Sequence, residues 1–415
     1  MDSVVELDAG RENAVARRNA MLYAACQAFN GAAAPISISL GGLAGSYLLA
    51  ADKSLATAPV TGFNVGLALA ALPAAMLMRH VGRRRGFMAG AVIGIAGMLL
   101  AAHALLRHDF WLFAMGLVVT GIAAGFTQQY RFAAADRGTP DFKPKAISWV
   151  LVGGVAAAII GPQLVLATRD MLAPVPFAGA FLAGTLLFAV SILVMSFLEP
   201  SRPAEAGQAL EPVAAPAAGG RSLIEIALQP RFAVAVLCAT VSYAVMSFLM
   251  TAAPLAMVGC GFSVDESTLG IQWHVMAMFA PSFFTGSLIA RFGKEAIVAA
   301  GLVILAACAV VALMGIELTH FWGSLILLGI GWNFGFIGAT AMVTETYRPE
   351  EKAKAQGAND MILFTTVAFA SFMSGKTLNS HGWEVINLSV FPIITIALVA
   401  LAWLVLRGDR NAAAA

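Results

Sequence analysis

The chain has 415 residues, 60% of them hydrophobic and only 12% charged, with a net charge of +2 and a mean hydropathy of +0.83. A soluble domain has roughly 25% charged and about 45–50% apolar residues, so this composition excludes a soluble fold and makes lipid the solvent. The small net charge, without a basic patch interleaved with aromatics, excludes nucleic acid as a partner.

Residues 1–19 read as a polar tail. Arg17 and Arg18 then precede an apolar run that is long and lacks a good cleavage site, so it reads as an uncleaved first helix. Cys26 follows Ala24 and Ala25, but Tyr23 stands where a lipoprotein signal has a small aliphatic residue. Apolar runs long enough to cross about 30 Å of hydrocarbon predict six spans in a first half (20–198), at 20–48, 56–78, 86–106, 110–135, 145–168 and 176–198. Residues 199–229 are rich in Pro, Ala, Gly and Glu and read as a flexible cytoplasmic linker. Six more spans are predicted in a second half (230–406), at 231–258, 267–290, 296–316, 319–345, 357–378 and 383–406, before a short tail over 407–415. The four cysteines, Cys26, Cys238, Cys260 and Cys308, include no CxxC pair and supply neither a disulfide nor a metal framework.

Charge sets the orientation. With both termini cytoplasmic, the outside loops hold only Lys53, Arg107, Arg169 and Lys376, and every other basic residue except Arg131 falls inside. This satisfies the positive-inside rule and requires an even number of crossings. The expected location is the cell inner membrane. The halves also resemble each other. Asp141-Phe142-Lys143-Pro144-Lys145-Ala146 after span 4 matches Glu350-Glu351-Lys352-Ala353-Lys354-Ala355 after span 10, and Gly82-Arg83 between spans 2 and 3 matches Gly293-Lys294 between spans 8 and 9. Repeated six-helix halves mark secondary transporters built around a central site.

The basic, Gly-containing stretches Arg79-His80-Val81-Gly82-Arg83-Arg84-Arg85-Gly86 and Gly286-Ser287-Leu288-Ile289-Ala290-Arg291-Phe292-Gly293 resemble the signature of the major facilitator superfamily. The resemblance covers nearly the whole chain. It implies an all-α membrane protein of twelve transmembrane helices in two pseudo-repeat halves, with Gly82, Arg83, Arg84 and Gly293 in gating loops. The usual Asp of the motif is replaced by Arg79 and Ala290, which puts in doubt any gating salt bridge that depends on it. Gly153, Gly154, Gly161 and Pro162 of span 5 resemble part of an exporter-associated motif, but Gln163 and Leu164 stand where it has further glycines, and close packing through small residues is the simpler reading. Gln128–Asp136 and Phe142–Leu151 resemble a bacterial branch that includes a riboflavin importer.

Polar groups inside a lipid-spanning helix need a partner or a watery cavity, so they map a path. In families of this kind, spans 1, 4, 7 and 10 line the cavity. Span 1 offers Gln27 and Asn30 on one face, and span 4 offers Gln128 and Arg131, with Gly121, Gly125 and Ala135 leaving room beside them. Arg131 either anchors a substrate oxygen or sits structurally at the membrane edge. Span 7 adds Thr240, Tyr243 and Ser247, and span 10 adds Trp332, to stack on a planar solute, and Asn333, to read its edge. His274, Asp136 and Glu345 are the candidates for relaying protons. No Asp or Glu lies near the middle of a predicted span, so strong proton coupling is not indicated.

Such a cavity suits a neutral or weakly anionic, partly planar solute. The expected function is alternating-access uptake of riboflavin or a similar planar vitamin by a permease working as a monomer. A drug or metabolite exporter is the second reading, and a non-transporting sensor on the same fold the third. The expected partners are the small-molecule substrate and membrane lipid. No phosphate loop, metal cluster or catalytic triad is present in the sequence, so neither enzyme activity nor a cofactor is expected.

Overall fold

The computed structural model describes residues 2–50, 52–136, 142–199 and 220–413, and every regular element among them is helical. The chain separates into two compact units, Met1–Asp52 with Ala58–Pro212 and Lys53–Thr57 with Val213–Ala415.

The first unit holds α1 (Asp2–Asn30), α2 (Ala33–Leu48), α3 (Ala58–Val81), α4 (Arg83–Leu106), α5 (Phe110–Thr127), α6 (Tyr130–Ala134), α7 (Lys143–Thr168) and α8 (Ala178–Ser196). α5 packs against both α3 and α4, α1 against α7, and α4 against α8. Glycine sets these approaches. A Cβ added at Gly66 would meet Val118 O at 2.0 Å, and one at Gly121 would meet Phe63 O at 2.0 Å. α3 and α5 therefore touch backbone to backbone, as helices in lipid do when small residues line their interface. The room expected beside Gly121 and Gly125 is filled: the Gly125 position faces Ala70 Cβ at 2.5 Å. A Cβ added at Gly153 would meet Ala24 O at 2.2 Å, and one at Gly161 would meet Ala32 O at 2.7 Å and Pro35 Cγ at 2.8 Å, so these glycines of span 5 seat α7 on α1 and α2.

The second unit holds α9 (Leu223–Ala227), α10 (Pro230–Gly259), α11 (Val264–Phe279), α12 (Ser282–Phe292), α13 (Lys294–Met314), α14 (Leu318–Val343), α15 (Lys352–Leu388) and α16 (Val390–Ala413). Its packing repeats that of the first unit: α14 lies against α11 and α13, α10 against α15, and α13 against α16. α13 and α14 approach closely enough that a Cβ at Gly301 would meet Gly335 N at 2.2 Å.

By length and apolarity, eight helices among the described residues can cross a membrane, or nine if the pair Val264–Phe279 and Ser282–Phe292, bent by 42°, is one span. The sequence predicts twelve, and the differences are local. Lys354–Arg407 counts once although it runs for 54 residues, roughly 80 Å of helix. It is broken at Gly382, whose φ of 81° is open to glycine and strained for other residues, and that residue divides predicted spans 11 and 12. Span 1 is interrupted between Asn30 and Ala33, close to Pro35, which cannot donate to a helical carbonyl. In span 2 only Ala58–Ala70 passes as a shorter apolar helix, and Pro73 lies within α3.

Of the stretch read as linker, residues 200–219 lie outside the described residues. Its C-terminal end is fastened in place. Ser222 caps α9 through a capping box with Glu225. Arg221 donates to Glu351 Oε2 at 2.7 Å and to Thr346 O at 3.0 Å, and the Glu351 side chain is fully buried. Composition alone could not reveal this tether, because its acceptors come from a loop about 130 residues away.

Candidate functional site

Gly82 and Gly293 adopt nearly the same backbone, φ 83° and ψ 160° against φ 87° and ψ 158°. Each turns the chain between two helices, and each is followed by a basic residue that finds an acid. Arg83 donates from Nε to Asp136 Oδ2 at 2.8 Å and from Nη2 to Asp136 Oδ1 at 3.1 Å. Lys294 donates to Glu345, which also accepts from Arg231 Nη2 at 2.7 Å. Arg231 bonds Glu295 at 2.6 Å as well. Lysine and arginine hydrogen bonds hold the Glu345 carboxyl below its usual range, that from Lys294 first. Although the motif's usual Asp is missing, both units thus tie the glycine turn to the far end of a helix by an ion pair. Arg83 is only 2% exposed, so its charge is buried against Asp136. Arg84, beside it, is half-buried.

In the first unit, Asn30 is buried and its Nδ2 donates to Tyr130 Oη at 2.6 Å, while Asn30 Oδ1 has no hydrogen-bond partner among the described residues. Tyr130 is fully buried against Tyr23 and Phe87, with ring centroids at 6.0 and 4.7 Å. Gln27 is half-buried and its Cβ lies where α7 crosses at Gly153, 3.0 Å from an added Cβ there. Gln128 caps the C-terminal end of α5 and is exposed. Arg131 is also exposed, in the short helix α6, with its guanidinium carbon 4.8 Å from the Phe132 ring centroid. Gln27 and Asn30 lie on α1 as expected. Gln128 and Arg131 lie at the end of span 4 nearest Asp136, not at its middle.

In the second unit, Tyr243 of α10 meets Trp332 and Phe336 of α14 edge-to-face, at centroid distances of 5.4 and 5.2 Å. Trp332 and Phe336 stack at 5.2 Å with planes only 16° apart. Phe364 of α15 joins them, 6.2 Å from Tyr243. Trp332 is 8% exposed, and its Nε1 has no hydrogen-bond partner among the described residues, an arrangement that costs about 1–3 kcal/mol.

Two of the predicted residues are engaged with neighbouring helices. Asn333, predicted to read a substrate edge, is fully buried and turned to α11 and α12. Its Nδ2 donates to Met278 O and to Ser282 Oγ, both at 2.7 Å, and its Oδ1 accepts from Thr285 Oγ1 at 2.6 Å. The helix break beside Pro281 exposes those backbone and hydroxyl groups, and Asn333 satisfies them. His274, predicted to relay protons, is fully buried with Nδ1 2.8 Å from Leu325 O, which locks the ring to α14. Asp136 and Glu345, the other two relay candidates, are held by basic partners. Sequence reasoning missed Phe336, Phe364, Ser282 and Thr285. Phe336 carried a signal, since it lies one turn beyond Trp332; Phe364 carried none. Among the described residues no group of His, Cys, Asp or Glu is arranged to hold a metal ion.

The sequence matches the profile of the family described as Major Facilitator Superfamily over residues 19–281 and 235–414. It is 52% identical over 400 residues to the riboflavin transporter RfnT of Brucella anthropi, covering 96% of this chain and 98% of that one. It is 27% identical to the uncharacterized MFS-type transporter YddS of Bacillus subtilis, covering 97% of this chain and 94% of that one. The crystal structure of the human organic anion transporter MFSD10 superimposes with a TM-score of 0.64 over 93% of this chain and 99% of that one, at 15% identity, a likeness of fold.

Proposed function

The chain belongs to the Major Facilitator Superfamily, and from that premise we propose that it carries riboflavin, or a close planar relative, into the cell by alternating access. It is a multi-pass secondary transporter and not an enzyme. The observation that carries the substrate is the 52% identity to a riboflavin transporter along essentially the full length of both chains. The chemistry agrees with it. A flavin has a flat ring with amide edges and a hydroxylated tail. Tyr243 and Trp332 offer aromatic surface, while Gln27, Asn30, Gln128 and Arg131 offer amide and cationic groups to polar edges.

The positive-inside charge distribution supports twelve crossings of the bacterial inner membrane, both termini cytoplasmic, with the Arg83–Asp136 and Lys294–Glu345 pairs on the cytoplasmic side. The protein works as a monomer in this reading. The packing of Gly153 and Gly161 against the backbone at Ala24 and Ala32 supports the packing reading of these glycines over the exporter reading.

The test is uptake of labelled riboflavin into cells that lack their own route and require the vitamin. Uptake above the vector control, and growth on low riboflavin, are expected. Absence of uptake with the protein present in the membrane refutes the substrate.

A further inference from the structure

We infer that the second unit carries an element that recognises the flat ring of the substrate, formed by Tyr243, Trp332, Phe336 and Phe364, so that selection is by ring and not by tail. The inference rests on the proposed flavin-class substrate and extends it to planar heteroaromatic molecules with hydrogen-bond acceptors at the ring edge.

Three helices converge on this cluster: α10 brings Tyr243, α14 brings Trp332 and Phe336, and α15 brings Phe364. Trp332 and Phe336, four residues apart on one helix face, form an offset stack, and Tyr243 stands at 84° and 87° to the two rings. The result is a corner with a stacked wall and a perpendicular one, the geometry that aromatic pairs prefer. Tyr243, Phe336 and Phe364 are each only half-buried, so the corner has accessible aromatic surface on which a further flat ring extends the stack. Stacking of this kind tolerates variation in the ring because every planar heterocycle has a π-face.

Packing alone does not explain the choice of residues. Trp332 Nε1 is a buried donor with no hydrogen-bond partner among the described residues, whereas phenylalanine would fill an apolar site without that cost. An indole N–H is the type of donor that pairs with a ring carbonyl or ring nitrogen. None of the four side chains carries an amide or a charge, so most of the contact they offer is aromatic surface for a ring.

The experiment uses the purified full chain in detergent, with flavin fluorescence as the readout, because stacking on aromatic side chains quenches it. The probes are riboflavin, lumiflavin (the ring without the ribityl chain) and ribitol (the chain without the ring). Lumiflavin is expected to bind and to displace riboflavin, and ribitol to displace nothing. Phe336→Ala and Phe364→Ala should each weaken lumiflavin binding roughly tenfold. Trp332→Phe, which keeps a ring and removes the donor, should weaken it by a similar factor. Phe336→Leu guards against loss of fold, keeping apolar volume without a ring, and should bind as weakly as the alanine variant while eluting as an intact monodisperse protein. Wild-type affinity in the Leu and Trp332→Phe variants, or competition by ribitol and not by lumiflavin, overturns the inference. Riboflavin uptake without lumiflavin binding refutes ring selection and leaves the proposed substrate standing. Lumiflavin binding without riboflavin uptake does the reverse.

Discussion

Arg83 and Asp136 show what a single buried pair does at the end of a membrane helix. Arg83 is nearly inaccessible and makes a two-pronged contact with one carboxylate, the geometry in which arginine is strongest. Asp136→Asn leaves that guanidinium buried and unpaired, so it should lower stability by about 3–5 kcal/mol, read as thermal unfolding in detergent. Adding Arg83→Gln should recover part of the loss, which a double-mutant cycle would register as coupling. Arg131, five residues before Asp136, is exposed and lies over Phe132. In the proposed mechanism its charge faces the substrate, so Arg131→Ala should strongly impair riboflavin uptake while the protein still reaches the membrane. Normal uptake by that variant would make the charge dispensable.

At the scale of elements, glycine governs how close two helices come, and the consequence differs from one glycine to another. Gly121 lets α5 rest on the backbone of α3, and an added methyl would meet Phe63 O at 2.0 Å. Gly121→Ala should therefore force the helices apart, costing about 1–3 kcal/mol. Gly286 of α12 has nothing within 4 Å of an added Cβ, and Gly286→Ala should be neutral or stabilise by up to about 1 kcal/mol through helix propensity. Melting curves of the two variants side by side check the contrast. The break between α11 and α12 belongs to the same scale. The helix breaks beside Pro281, and there Asn333 on a neighbouring helix donates to the carbonyl of Met278, which is how bent membrane helices satisfy their backbone.

For the whole molecule, the charged ends respond to acid. The Glu345 carboxyl titrates below its ordinary value because Lys294 and Arg231 donate to it. A depressed folded pKa adds stability above the unfolded pKa of about 4.3, and that stability is lost as pH falls toward the folded pKa. Glu345→Gln should consequently be less stable than the wild type at pH 7 and lose less than the wild type on acidification to pH 4. Topology is testable through the cysteines. Cys26, Cys238 and Cys308 are buried, whereas Cys260 is exposed just beyond α10. If both termini are cytoplasmic, an impermeant maleimide added to intact cells should label Cys260, and Cys260→Ser should abolish the labelling. Labelling only after lysis would invert the proposed orientation.

Composition, the length of the apolar runs and the repeated loop residues were enough to determine a polytopic helical protein of two similar halves, because lipid leaves the backbone few alternatives and each span is specified by local hydropathy. The matching turns at Gly82 and Gly293 were legible for the same reason: a residue type and a spacing recur. Tertiary structure alone decided what the polar residues do. Asn333 and Trp332 are adjacent in sequence, yet helical rotation turns Asn333 to the break in α11–α12 and Trp332 to Tyr243 and Phe336. Phe364 and Thr285 became visible only through partners that lie 48 to 121 residues away, since Thr285 bonds Asn333 and Phe364 meets Tyr243. Hydropathy says that a side chain must find a partner in lipid; only the packing of helices says which one.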